Sequence, residues 1–320
     1  MTRQLHEAGQ PRERQRCRNG NAQYVKRYEF GAASGTLTAC LLRMNRKTAA
    51  RRNKVDQPMR FGPAPHNAWT LDDQGLSLVR TPKRPRPVRI EARPQAIEFD
   101  LARSALLVVD MQNDFCQPEG WFGQKGLGVK AARKPIPVIA RLLDAWRAAQ
   151  APVVWVNWGI RADARNLSPT IHFKGKRSAE GVGYAERSPI DHGPALVQGE
   201  WGARVVDELK VLPEDITVHK HRLSGFWDNE LDSLLRQQGI GTLFFAGINT
   251  DRCVFSTLQD AAFLGYDCVL LEDACSTPSP AHVTRGIHFL VETLHGFVAR
   301  ADALTSALPS SQRNTTRSSR

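Results

Sequence analysis

The chain has few of the features that would commit it to a membrane, an oxidising compartment or a bound nucleotide. No apolar run approaches the length needed to span a bilayer, and no hydrophobic signal core follows Met1. Neither insertion nor export is therefore expected. The six cysteines, Cys17, Cys40, Cys116, Cys253, Cys268 and Cys275, include no C-x-x-C pair. Scattered thiols fit a reducing, cytoplasmic setting better than a disulfide framework. No G-x-G-x-x-G or P-loop pattern occurs, so a nucleotide cofactor has no support in the sequence. No His-x-x-x-His pair occurs. His282, His288 and His295 do not have the spacing of a ligand pair either, so neither a metal nor any other cofactor is expected.

Acidic residues are scarce in one place only. The net charge of +12 suggests a nucleic-acid partner until it is located. Residues 1–60 hold 14 Lys+Arg against 4 Asp+Glu, whereas the other 260 hold 30 against 28. The basicity belongs to the N-terminal segment, which has no periodicity and no nucleic-acid-binding module. It reads as a disordered tail, or as residues upstream of a start at Met44 or Met59, and a nucleic-acid partner is not expected. Residues 61–100 are rich in proline and arginine (Thr81-Pro82-Lys83-Arg84-Pro85-Arg86-Pro87) and read as an extended leader lying on the surface.

From Ser104 a regular pattern begins. Apolar runs at 105–109, 153–156, 216–219, 243–246, 268–271 and 297–298 are fit for buried strands. Between them, helical periodicity is present over 136–149, 229–238, the stretch after Cys253 and 280–294, with a short helix near 203–209. Strands alternating with helices predict an α/β fold, a three-layer αβα sandwich with a mostly parallel sheet of about six strands. Residues 158–200 mix Gly, Pro, Arg and His without a period. So long a loop in a compact domain reads as the wall and cover of a pocket.

Leu243 to Val254 organises the rest. An apolar strand breaks at Gly247, and a helix starts around Cys253. A thiol there sits where open α/β sheets bind ligands and where a helix N-terminus favours an anion. It should therefore titrate low. Asp110 and Lys220 end two other strands. Each of the three has a plain alternative: Asp110 as a turn cap, Lys220 as a solvated surface lysine, Cys253 as a small core residue. If they converge, they permit acyl transfer. Lys220 and the helix end lower the thiol pKa, and Asp110 takes the thiol proton and returns it to a leaving nitrogen. The N–H groups of Asn249 and Cys253 receive the oxyanion.

The stretches Val108-Val109-Asp110-Met111-Gln112-Asn113-Asp114-Phe115, Lys220, and Gly247-Ile248-Asn249-Thr250-Asp251-Arg252-Cys253-Val254 resemble the isochorismatase-like cysteine hydrolases. The resemblance covers roughly residues 97–305. It implies a catalytic triad of Asp110, Lys220 and Cys253, a cis peptide at Ile248–Asn249, and a homo-oligomer. Lys220-His221-Arg222-Leu223-Ser224-Gly225-Phe226 looks most like the ureidoacrylate amidohydrolases, with biuret hydrolases and N-carbamoylsarcosine amidases next. Leu223, where those enzymes carry tyrosine, and Arg252, where an uncharged residue is more usual, depart from the pattern. Asn157 and Trp158 resemble a substrate-lining pair, and Phe226 and Trp227 are further pocket candidates, with packing as the alternative.

The expected organisation is a basic extension over 1–96, largely disordered or surface-draped, a hydrolase domain over 97–308 and a disordered tail over 309–320. The expected function is metal-independent hydrolysis of a C–N bond in a small amide, ureido or carbamoyl substrate through a thioester on Cys253. Vinyl ether hydrolysis of the isochorismatase type, or a binding protein without turnover, are the competing expectations.

Overall fold

Apolar runs with no polar interruption can be buried only if both sheet faces are covered, and the central strands show this. The computed structural model describes residues 57–187 and 192–309. The expectations for residues 1–56 and for the tail from Ser310 lie outside the described residues.

The chain enters through an antiparallel meander, β1 (Met59–Ala64), β2 (Asn67–Asp72) and β3 (Gly75–Ser77). β4 (Pro87–Ile90) then pairs antiparallel with β6 (Ile97–Asp100), while β5 (Ala92–Arg93) joins the main sheet. The main sheet continues with β7 (Ser104–Val109), β8 (Val153–Trp158), β9 (Ile216–Lys220), β10 (Thr242–Ile248), β11 (Asp267–Ser276) and β12 (Phe297–Ala299). Its order is β5-β12-β11-β10-β7-β8-β9, and every pair is parallel except β5–β12.

Every residue of β7, β8 and β10 is buried. The connecting helices are α1 (Ile136–Ala148), α2 (Pro169–Lys176), α3 (Leu231–Gln237), α4 (Phe255–Phe263), α5 (Ala281–Leu290) and α6 (Ala301–Ala307). In α1 the buried side chains are Ile136, Ile139, Leu142, Leu143 and Trp146, the face marked by the sequence period. Each such large apolar side chain contributes about 1.5–3 kcal/mol when fully buried. Trp146 keeps its polar end satisfied by donating to the Pro152 carbonyl at 2.9 Å. No helix among the described residues is long and apolar enough to cross a membrane.

The expected α/β fold with its mostly parallel sheet is present; the sheet has seven strands, the short antiparallel β5 being drawn from the stretch read as a leader. That stretch is also not merely draped over the surface: Val88 and Ile90 of β4 are buried in the core. The short helix near 203–209 does not form beyond a single turn at Trp201–Ala203. Its backbone bonds to the chain after β7 instead, with Val205 bridging Gln112 and the Val206 N–H donating to the Met111 carbonyl at 3.0 Å.

Candidate active site

Parallel register brings the strand ends together. Val109 of β7 pairs with Gly247 of β10 on one side and Val156 of β8 on the other, and Trp158 of β8 pairs with Lys220 of β9. Gly247 has φ +115°, and an added Cβ would lie 2.1 Å from the Val109 carbonyl oxygen. Only glycine lets β10 lie this close to β7 at that point. The next peptide, Ile248–Asn249, is cis, as the resemblance implies. The chain then turns through Thr250–Val254 into α4, with the N–H groups of Arg252 and Val254 donating to the Asn249 carbonyl. Asp110, just past β7, adopts φ +54°, a left-handed conformation that short polar residues tolerate better than most.

Asp110, Lys220 and Cys253 converge. Lys220 comes from β9 and reaches across the end of β8, with its Nζ 4.4 Å from the Trp158 ring centroid. It sits 3.0 Å from Asp110 Oδ2 and donates to the Arg222 carbonyl at 3.2 Å. The 3.0 Å contact is an ion pair lying off the hydrogen-bond line, since Oδ2 has no donor in conventional geometry. Asp110 Oδ1 accepts from the Trp158 N–H at 3.2 Å. The Lys220 side chain is fully buried and that of Asp110 nearly so, against the surface location that is usual for a lysine.

Electrostatics correct one expectation. Burial, and then the negative charge of Asp110, push the Cys253 thiol up to about 12, and Lys220 and the Trp158 indole only partly oppose this. Burial also raises Asp110, against the pull of Lys220, Cys253 and the Trp158 N–H. The thiol does not titrate low, because the strand-end position that exposes it to a helix terminus also removes it from water. Passing the thiol proton to Asp110 leaves the charge of the site unchanged, whereas releasing it to solvent would leave a buried anion.

The residues after Asp110 position the site. The Gln112 amide donates to the Trp158 and Ala203 carbonyls, both at 2.7 Å, and its Oε1 accepts from the Trp158 N–H at 2.8 Å. Asn113 donates to the Trp201 carbonyl at 2.9 Å. Asp114, held above its ordinary pKa by burial, accepts from the N–H groups of Trp121 at 3.0 Å and Leu196 at 2.7 Å. It thereby ties the segment 158–200 to the sheet edge.

Asp110, Asn249 and Cys253 line a cavity of about 640 Å³. Its apolar wall is Phe115, Trp121, Phe122, Trp158 and Tyr184. Tyr184 stacks on Trp158 at 5.3 Å and lies 4.9 Å from the Trp121 ring. Residues 158–200 thus form part of the wall, contributing Lys174, Arg177 and Tyr184. Among the expected lining residues, Trp158 is present, but Asn157, Phe226 and Trp227 are not. Asn157 precedes Trp158 on the strand, so its side chain leaves by the opposite face. Phe226 is buried and packs on Tyr266 at 5.7 Å, and Trp227 is exposed, donating to Asp260 at 2.5 Å. Tyr184, Trp121, Lys174 and Arg177 were not foreseen, since they lie in aperiodic or short-turn sequence.

The isochorismatase domain is matched over residues 104–302. A cysteine hydrolase from Pseudomonas syringae pv. phaseolicola 1448A aligns with a TM-score of 0.55 and 25% identity, over 66% of this chain and 94% of that one. An isochorismatase family protein from Desulfovibrio vulgaris subsp. vulgaris str. Hildenborough aligns with a TM-score of 0.53 and 31% identity, over 64% of this chain and 98% of that one. A match across most of the chain, on a mostly parallel sheet whose strand ends carry the expected acid, amine and thiol, leads to one conclusion: the chain belongs to the isochorismatase family.

Proposed function

We propose that the protein is a cysteine amidohydrolase acting on the C–N bond of a small amide, ureido or carbamoyl substrate. The observation that carries this reading is that Cys253 and Asp110 face one cavity, with the buried Lys220 beside Asp110, so that the thiol has a carboxyl group to receive its proton. A cysteine hydrolase among the similar structures supports the nucleophile. The motif around Lys220 supports the ureido class.

In the first half of the cycle Cys253 Sγ attacks the substrate carbonyl carbon while its proton passes to Asp110. The S–C bond forms, and the carbonyl electron pair moves onto oxygen. Backbone N–H groups at Asn249 and Cys253 stabilise that charge. Asp110 then gives its proton to the substrate nitrogen, the C–N bond breaks, and an amine or ammonia leaves. In the second half Asp110 takes a proton from water as the hydroxide adds to the thioester. The S–C bond breaks, and the proton returns to sulfur. Lys220 favours the ionised form of Asp110 against the effect of burial and holds it beside the thiol.

Cys253→Ala and Asp110→Asn are each expected to lower ammonia release by about 10³-fold or more, with the circular dichroism spectrum unchanged. The assay is run on ureido acids, N-carbamoyl amino acids, biuret and simple amides. Ammonia release retained in Cys253→Ala would refute the thioester.

A further inference from the structure

Arg252, singled out in the sequence as an unusual neighbour of the nucleophile, lines the cavity beside Cys253. It is not alone. Lys125, Lys174 and Arg177 line the same cavity, and among the described residues the only carboxylate in its lining is Asp110, which is paired with Lys220. General basicity is not the cause, because residues 61–320 carry nearly balanced charge, 30 Lys+Arg against 28 Asp+Glu. The cations are concentrated at this cavity.

Their partners separate them into two kinds. Lys125 is committed to the structure: its Nζ donates to the carbonyls of Gly175 and Val182 and sits 4.8 Å from the Trp121 ring centroid. Lys174 and Arg177 have no carboxylate within ion-pair distance among the described residues, and Lys174 has only the ring of Phe173 beside it, at 5.6 Å. Arg252 lies 3.8 Å from Asp251, but that carboxylate already accepts from the hydroxyls of Thr277 at 2.6 Å and Ser279 at 2.8 Å. The charge of Arg177 also helps to lower the pKa of Lys125, after burial. Like charges held together without anions raise one another's energy, and an incoming anion relieves this.

We propose that Arg252, Lys174 and Arg177 form an anion subsite that binds a carboxylate on the substrate and selects ureido and N-carbamoyl acids over neutral ureas and amides. The substrate class rests on the amidohydrolase reading of the same cavity; the anion binding does not. The aromatic wall of Trp121, Trp158 and Tyr184 accommodates the carbon chain between the scissile group at Cys253 and the carboxylate at the cations. These cations are largely exposed, so the selection is moderate for each and cumulative over three.

Two measurements test this on the full chain. The first is ammonia release from 3-ureidopropionate and propylurea, which share the ureido group and the chain length and differ in the carboxylate. The wild type is expected to favour the acid by about tenfold or more in kcat/KM, mainly through KM. Arg252→Gln and, on a separate element, Lys174→Glu are each expected to reduce that ratio severalfold. Because the ratio is read within one variant, a general loss of activity from disturbing the neighbour of Cys253 cancels.

The second needs no turnover: protection of the fold from thermal unfolding by glutarate compared with glutaramide. Protection by glutarate only, weakened in both variants, is expected. If neither urea turns over but glutarate still protects, the subsite stands and the amidohydrolase reading fails. If both ureas turn over equally in the wild type, the subsite is refuted and the hydrolase reading stands. Absence of both turnover and protection refutes both.

Discussion

Lys220 shows how far a single residue can stand from its ordinary behaviour. A lysine at a strand end is normally solvated, yet here it is buried against Trp158 and Asp110. That placement is tolerable because the Asp110 charge compensates it in a dry site. The same dryness raises Cys253 to about 12. Burial thus favours a neutral thiol at rest, and under the proposed mechanism nucleophile and base act together at the moment of attack. The free protein is accordingly expected to show no Cys253 thiolate at pH 8.5, where an ordinary thiol is half ionised. The difference in ultraviolet thiolate absorbance between wild type and Cys253→Ser measures this. A difference already present at neutral pH would mean that the low-titrating thiol is right and the buried pair is misread.

At the scale of elements, the turn after β7 organises the site more than any helix does. Asp110, Gln112, Asn113 and Asp114 are consecutive or nearly so. Asp110 faces Lys220, Gln112 holds the backbone of Trp158, and Asn113 and Asp114 hold Trp201, Trp121 and Leu196. The covering segment 158–200 is thus fastened by side chains more than by regular structure. Asp114→Ala leaves two buried N–H groups without acceptors, at a cost of about 1–3 kcal/mol each. It is expected to speed amide hydrogen exchange at Leu196 and to raise KM more than it lowers kcat. Unchanged exchange at Leu196 would show that the segment is held by other contacts.

At the scale of the whole molecule, regular structure among the described residues begins at Met59, well before residue 97. β5 completes the sheet edge, and Arg93 on it binds Glu272 at 2.9 Å and Glu292 at 2.8 Å. β4 adds Val88 and Ile90 to the core. Deleting residues 1–96 is therefore expected to lower the thermal midpoint by several degrees or to abolish soluble expression, since two buried aliphatic side chains alone are worth about 3 kcal/mol or more. Differential scanning fluorimetry of this truncation against the full chain decides it, and an unchanged midpoint would place the boundary at 97 after all.

The sequence by itself determined the alternation of strand and helix and the three polar strand ends, because apolar runs and helical periods are local properties of the chain. With the motif around Cys253 they sufficed for the family. Strands of two to four residues in a proline-rich stretch were illegible, since so few positions carry no period. Only the tertiary structure decided the raised pKa of Cys253, the placement of Asn157 in the interior and of Trp227 in solvent, and the gathering of Arg252, Lys174 and Arg177 around one cavity. Each depends on what water, charge or backbone surrounds a side chain, and residues far away along the chain supply those surroundings.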